Sequence, residues 1–295
     1  MITGFERSRI GSVTVLSQSR SPEGLEFGPR RKSFDIEASL SRNWHGDSLF
    51  VTAWFNAMSL LFPLGEKFFI DSVVHYEHEI DDPKLKVEVR AFRAQEATHR
   101  VQHQRYNELL CRLRDYDLAR FERVERERMD WAYRELSPRR RLAGTVANEH
   151  ITAIMAHEML TNRMVMAGAD PAIAALWEWH GIEETEHKAV AFDVFTTVGG
   201  TVRERRVAMF MNTIFFFKDT MRNVCIMLQK EGKLWSLSEW WAGMKYLFIR
   251  PGILRRVAGP WCRFFRRDFH PWQIDDRDLI ARWESQQQSA STANP

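Results

Sequence analysis

The sequence predicts an all-α protein: a four-helix bundle core with additional helices and an aromatic-rich helical extension at the C-terminus. Apolar residues recur at a helical period through most of residues 46–200, which predicts amphipathic helices. Gly and Pro are sparse, at 15 and 10 of 295 residues, while Phe and Trp number 20 and 11. Two Glu-x-x-His triplets, each preceded by a lone Glu, lie on four of the expected helices.

The chain divides into four expected segments. Residues 1–45 have no clear period and predict an irregular arm packed on the body. The bundle core, with one extra helix, is expected over 46–200, a helical extension packed on the core over 201–283, and a disordered, Ser- and Gln-rich tail over 284–295. A chain of this length can bury a substantial core.

Local signals place the helices of the core. Asp82 and Pro83 suit an N-cap and a first helical position, Ser137-Pro138 breaks the chain, and Gly199-Gly200 ends the last core helix. The expected core helices cover about Asp47–Glu79, Pro83–Arg114, Arg139–Ala167 and Pro171–Val198. A charge-dense stretch, Asp117–Leu136, is the extra helix, with a solvated face of ion pairs.

Composition limits the classes of partner and compartment. The net charge of +3, from 42 basic and 39 acidic residues, gives no argument for nucleic acid. Three distant cysteines imply no disulfide framework, and the N-terminus carries no secretory signal, so a cytoplasmic protein is expected. Basic and aromatic residues interleave over 235–269, which leaves open a peripheral membrane contact or a helical appendage packed on the bundle. A homodimer also stays open.

The main functional signal is the order Glu, Glu-x-x-His, Glu, Glu-x-x-His. Glu66 precedes Glu96 by 30 residues and Glu149 precedes Glu184 by 35, and His99 and His187 complete the triplets. Residues three apart share one face of a helix, so each triplet can offer an oxygen and a nitrogen to the same ion, with the lone glutamates bridging or capping. Four carboxylates balance two divalent ions, and this ligand order is typical of ferritin-like di-metal bundles.

Several ligand choices stay open. Glu183 can replace Glu184, because a spacing of four also reaches His187, although Glu184 repeats the spacing of the first triplet. His180 lies on the same stripe as Glu184 and is expected to be a third imidazole ligand or to touch one. His103, one turn beyond His99, is expected to support a ligand rather than bind metal. No role is assigned to His75, His78, His150 or His157. The alternative to a metal site is a set of exposed ion pairs, such as Glu96 with Arg100 and Glu184 with Lys188.

The sequence resembles a bacterial family known as predicted metal-dependent hydrolases. The resemblance covers roughly Trp44–Trp272 and rests on Phe62–Phe69, Gln95–His99, Glu149–Ala153, Trp179–Asp193 and Phe269–Trp272. A narrower resemblance links His180, Glu184 and His187 to the di-iron arylamine N-oxygenases, where a third His joins the usual ligands. That second resemblance implies dioxygen activation and leaves the substrate open.

Three functions compete at this stage. The main expectation is a non-haem di-iron, or manganese–iron, oxidase or oxygenase that uses dioxygen and an electron donor to oxidise a small apolar or aromatic substrate. The first alternative is a metal-dependent hydrolase, with zinc in place of iron, that uses water activated by a dinuclear site. The second alternative is a ferroxidase or metal-storage protein.

Overall fold

The computed structural model describes residues 19–292, and residues 290–292 by their backbone alone. The predicted arm therefore falls partly outside it, since residues 1–18 are not described. Within the described chain no strand ladder forms, and the prediction of an all-α protein is confirmed. The helices are α1 Glu37–Leu40, α2 Leu49–Val74, α3 Pro83–Arg114, α4 Leu118–Glu135, α5 Pro138–Thr161, α6 Pro171–His187, α7 Val190–Thr197, α8 Val202–Lys230, α9 Leu237–Met244, α10 Ile253–Arg263 and α11 Arg277–Thr292.

The starts of the core helices follow the local capping signals. The Asp82 side chain accepts a hydrogen bond from the amide of Lys84, and Pro83 opens α3. The Ser137 hydroxyl caps α5 and the Asp170 carboxylate caps α6, each with a Pro at the next position. These caps satisfy amides that have no partner inside the helix, so the starts are determined within a few residues of sequence.

Three helix ends differ from the predicted ones. The first core helix ends at Val74 and not near residue 79, and α5 ends at Thr161 and not near residue 167. Asn162 turns the chain out of α5, and its side chain bonds locally to Glu158 and to the amide of Met164. The fourth predicted helix is two helices, broken after His187.

The break after α6 lies beside a tertiary contact. The Lys188 amine, 4% exposed as a residue, donates to the carbonyl of Ile274 at 2.7 Å and to Asp276 at 2.5 Å. Both partners lie more than 80 residues away in the chain, so nothing near Lys188 in the sequence indicates this end.

The four helices that carry the motifs pack as two pairs. Helix α2 packs along α3, and α5 packs along α6, while α8 covers α5 and α2 from one side. Two apolar clusters lie at opposite ends of these helices. One contains Phe55, Tyr106 and Trp179; the other contains Phe68, Phe92 and Val190. The motif residues fall between the two clusters along α2, α3 and α6, whereas Glu149 on α5 lies between Ala147 and Ile151 of the second cluster. The relation to ferritin-like bundles stays a prediction.

The C-terminal segment is helical and contacts the core through α8, α9, α10 and α11. Helix α11 continues to Thr292, where the sequence predicted a disordered tail from residue 284. The arm holds part of this helix: Arg30 binds Glu284 at 3.0 Å, and the Lys32 amine lies 4.5 Å from the centre of the Trp283 ring. Polar composition alone could not indicate these long-range contacts.

One stretch, Leu49–Glu79, is long and apolar enough to cross a membrane by length and composition, and 89% of its apolar window is buried inside the protein. That burial is what a core helix of a soluble protein shows. The cytoplasmic location and the membrane contact through 235–269 stay predictions; within that segment Trp235 is 89% exposed and Trp241 65%.

Candidate metal centre

The structure brings all seven predicted ligands into one space between the two apolar clusters. Helix α2 supplies Glu66, and α5 supplies Glu149. Helix α3 carries one triplet and α6 the other, together with His180. None of the seven residues is more than 4% exposed: Glu66, Glu96, His99, Glu149, His180, Glu184 and His187.

The ligand atoms form overlapping groups, each with its atoms within 4.8 Å of one another. Glu96 belongs to two of them, one with Glu66 and His99 and one with Glu149 and His187. His187 Nε2 lies 3.1 Å from Glu96 Oε1, 3.6 Å from Glu149 Oε2 and 3.6 Å from Glu184 Oε1. His99 Nδ1 lies 3.7 Å from Glu96 Oε1 and 3.5 Å from Glu184 Oε1.

This arrangement differs from the simplest prediction, in which each triplet holds its own ion. The two triplet glutamates, Glu96 and Glu184, lie in the middle, where both can be shared. The lone glutamates, Glu66 and Glu149, lie at opposite ends. The spacing of three along a helix brings Glu and His together, but the crossing of α3 and α6 decides which pairs meet.

Many of these buried polar atoms have no hydrogen-bond partner among the described residues. They are both carboxylate oxygens of Glu66, Glu96 and Glu149, together with His99 Nδ1 and His187 Nε2. A buried polar group without a partner costs free energy, and a buried carboxylate costs far more. Eight such atoms aimed into one space fit a site that is completed by cations, since oxygen and imidazole nitrogen are ligands for divalent metals.

The electrostatics of the metal-free chain point the same way. Burial, reinforced by the charge of Glu96, raises the pKa of the Glu66 and Glu149 carboxyls well above their usual range. Burial lowers the pKa of His99 and His187, but the adjacent carboxylates outweigh it and raise both values well above the usual one. These carboxylates are Glu183, Glu184 and Glu96 at His99, and Glu184 and Glu96 at His187. Without cations the cluster therefore holds protons that bound ions would displace.

Glu183 and Glu184 have different positions. Glu183 turns away from the cluster: its Oε2 lies 3.0 Å from His99 Nε2, and its Oε1 accepts the backbone amide of Arg30 at 2.9 Å. Glu184 faces the other ligands and accepts a hydrogen bond from the Thr152 hydroxyl. Glu183 thus orients His99 so that Nδ1 faces the cluster, and Glu184 is the glutamate whose carboxylate faces the other candidate ligands.

His187 has an equivalent support that sequence reasoning missed. Its Nδ1 lies 2.9 Å from Gln95 Oε1, and Gln95 Nε2 donates to Glu186 at 2.8 Å. Arg30 Nη1 in turn donates to Glu186 at 2.8 Å. Metal-binding histidines commonly have their second nitrogen held in this way, which sets the ring orientation. Gln95 directly precedes Glu96, and Glu186 directly precedes His187 inside the second motif, so the sequence neighbours of the predicted ligands were the available signal.

His180 lies beside one end of the cluster. Its Nε2 is 3.1 Å from Glu184 Oε1, and its ring stacks on His99 with centroids 4.3 Å apart. His180 Nδ1 meets His103 Nε2 at 2.8 Å, and His103 Nδ1 meets the Ser59 hydroxyl at 2.8 Å. His103 thus lies where the sequence predicted it, behind a candidate ligand, although it also groups with Glu66 and His180 as a potential ligand set.

The remaining candidates lie elsewhere. His150 stacks on Phe264, and His157 Nδ1 lies 2.7 Å from Asp276 Oδ1. Lys188 binds Asp276 and Glu184 is buried, so the alternative of an exposed Glu184–Lys188 ion pair is wrong.

The comparisons with known proteins give one match. The sequence model of the family described as "Predicted metal-dependent hydrolase" matches residues 28–275, most of the chain and all of the metal cluster. The searches of curated proteins and of solved structures found no match. The chain therefore belongs to the predicted metal-dependent hydrolase family.

Proposed function

We propose that the chain is a dinuclear metal enzyme of hydrolytic type. Glu66, Glu96, His99, Glu149, Glu184 and His187 would hold two divalent ions, with His180 as a further ligand at one of them. The observation that carries this is the set of buried carboxylate and imidazole atoms without partners between the two apolar clusters. The family description supports the hydrolytic reaction.

The chain's own residues divide the work. Four carboxylates would balance the charge of two divalent ions, so the filled site would be close to neutral in a low-dielectric interior. Glu183 and Gln95 hold the imidazoles of His99 and His187 in the orientation that faces the cluster. When bound, two divalent ions supply Lewis acidity and lower the pKa of water.

A second candidate is oxidation of an apolar substrate with dioxygen by iron, with manganese as an option and an electron donor required. The observation in its favour is the wall next to His180 and Glu184, where a cavity of about 40 Å³ is lined mainly by apolar side chains such as Phe55, Met58 and Met155. Such walls exclude water and protect reactive species. A mixed carboxylate and imidazole site also suits iron and manganese.

The test begins with metal-free protein reloaded separately with zinc, manganese and, without air, ferrous iron. Elemental analysis should find two ions per chain. The zinc protein is then assayed on a panel of esters, amides and phosphoesters, and the ferrous protein is assayed for oxygen uptake and for an optical change on admitting air. Hydrolysis by the zinc protein supports the first function, oxygen uptake with substrate supports the second, and many irons per chain would indicate storage.

Glu149→Gln provides the matched variant, because it keeps the shape and removes the charge of one ligand. Glu158→Gln is its control: Glu158 is also on α5, is 8% exposed and lies outside the cluster, where it binds Asn162 and Arg256. Equal metal content in the two variants and the parent chain would contradict the proposal.

A further inference from the structure

A surface groove of about 720 Å³ runs between α4, α5 and α8. Its walls are largely apolar, with Phe68, Ala143, Val207 and Met211 among them. Five arginines also line it: Arg128, Arg139, Arg140, Arg141 and Arg203. Among the described residues that line the groove, Glu204 is the one acid, and it pairs with Arg139 at 3.0 Å.

The positive charge is concentrated at one end of the groove. Arg139 meets Glu204 near the start of α5 and α8, and Asn148 donates to Asn212 at 3.2 Å further along both helices. The two helices therefore run in the same direction, and both N-termini face the end that carries Arg139, Arg140 and Arg203. Helix N-termini favour anions, which adds to the charge of these side chains.

Two of these arginines are available to a ligand. Arg139 is held by Glu204, and Arg141 donates to the carbonyls of Tyr133 and Leu136. The exposed side chains of Arg140 and Arg203 have no hydrogen-bond or ion-pair partner within the described part of the chain. An anionic group placed at this end would meet two uncommitted guanidinium groups.

The other end of the groove leads inward. Met129, Asn148, Asn212 and Phe215 line both the groove and a second cavity of about 60 Å³. Glu125 also lines this inner cavity; it is 4% exposed, and its Oε2 has no partner among the described residues.

The inner cavity adjoins a third cavity beside the metal cluster. It shares Phe62, Thr152 and Phe216 with the cavity of about 40 Å³ that His180 and Glu184 line. From Arg139 to Thr152 the route follows α5 for 13 residues, about 20 Å at the rise of an α-helix. The three spaces thus form a line from a cationic, exposed end to the predicted ligands.

We propose that this line of cavities is the substrate route and that the substrate is an amphiphile. Its anionic head, a carboxylate or a phosphate, binds Arg140 and Arg203 at the outer end, and its apolar chain runs along the groove so that the far end reaches the metal cluster. The identity of the inner end as the reaction site rests on the proposed function; binding of the amphiphile does not.

Calorimetric titration of the whole chain, with and without zinc, tests the binding. The probes are dodecanoate, dodecyl phosphate and uncharged dodecanol, which share one chain and differ in the head. We expect the two anions to bind about tenfold or more tightly than dodecanol, since each hydrogen bond to a charged group adds to affinity. The tighter of the two anions identifies the head group. Equal affinity for all three probes would overturn the proposal.

Two variants test the two ends of the site. Arg140→Ala with Arg203→Ala should weaken both anions to the level of dodecanol and leave dodecanol unchanged, while exposed arginines outside the groove, Arg134→Ala with Arg282→Ala, should change nothing. Gly144→Leu should weaken all three probes. A Cβ at Gly144 would lie 3.7 Å from Asn212 Nδ2, an ordinary contact, so the rest of the side chain fills the groove without a clash at its base.

Cobalt-loaded protein tests whether a ligand bound in the groove reaches the metal cluster. Hexadecanoate, whose extended chain is long enough for this route, should change the visible cobalt spectrum, and hexanoate, too short to reach the inner cavity, should not. Failure of the two proposals is distinguishable. A chain that binds no metal but still prefers dodecanoate in its metal-free form contradicts the dinuclear site and keeps the amphiphile groove. A chain with two ions and no head-group preference does the reverse.

Discussion

The two halves of the candidate metal centre carry the same order of predicted ligands but have different surroundings. In the first half, Glu66 lies near His99 and within reach of His103 and His180. In the second half, Glu149 groups with Glu96 and with His187 as its one imidazole. Equal spacing in sequence therefore does not make equal metal positions, because residues from other helices complete each position. We expect the Glu66 end to be richer in nitrogen and the Glu149 end richer in oxygen.

Glu96→Gln should have the largest effect, since Glu96 belongs to the groups at both ends. We expect metal content to fall from two ions per chain to near zero, because the variant removes a shared charge from both positions. Elemental analysis after dialysis measures this, with circular dichroism to verify that the helices persist. Retention of one ion would show that Glu96 serves one position alone.

Glu149→Gln should remove one ion, and Glu66→Gln should weaken the binding of the other. The Glu149 end has one imidazole, so its loss should be complete. The Glu66 end retains His99 and His180 and should keep a weakened ion. Competitive titration with a chelator compares the two variants. Equal losses would mean that His180 does not bind metal.

Substitution of the residues that hold the second imidazole nitrogen should have smaller effects on metal affinity. Each effect should be confined to one half of the site. Gln95→Leu frees His187, and His103→Leu frees His180. Loss of such a support typically costs about 10- to 100-fold in metal affinity. We expect each variant to weaken only the ion at its own end, measured as one changed and one unchanged binding step. A change in both steps after either substitution would contradict the separation.

The pH dependence of stability should be the smallest effect and common to both halves. The raised pKa values of His99 and His187 mean that, in the metal-free chain, their stabilising contribution is complete below the unfolded value of about 6.5 and is lost as pH rises through the folded values. The raised carboxyls of Glu66 and Glu149 act in the same direction. In the metal-loaded chain the bound ions have displaced these protons, so this contribution to stability is absent there.

The melting temperature of the metal-free chain, relative to that of the zinc-loaded chain, should therefore fall as pH rises above about 6.5. Thermal unfolding by circular dichroism at several pH values checks this. A gap between the two forms that stays constant or narrows as pH rises would contradict the assignment of protons to the cluster.

Local signals predicted helix starts better than helix ends. Asp82, Ser137 and Asp170 cap amides within three residues of themselves, so the starts of α3, α5 and α6 could be predicted. The break after His187 lies beside the contact of Lys188 with Asp276, and the helix beyond residue 284 depends partly on Arg30. Contacts between residues so distant in the chain leave no periodic signal.

The sequence by itself determined the all-α class and the candidate ligands, because caps and the spacing of three along a helix act within one or two turns. Tertiary structure decided which of Glu183 and Glu184 faces the cluster, which glutamates lie in the middle, and that His103 supports His180. It also placed the arginines of α5 and α8 along one groove beside α4. These outcomes depend on how the helices cross and on which helix faces meet. The crossing is settled only when the whole chain packs and buries its apolar surface.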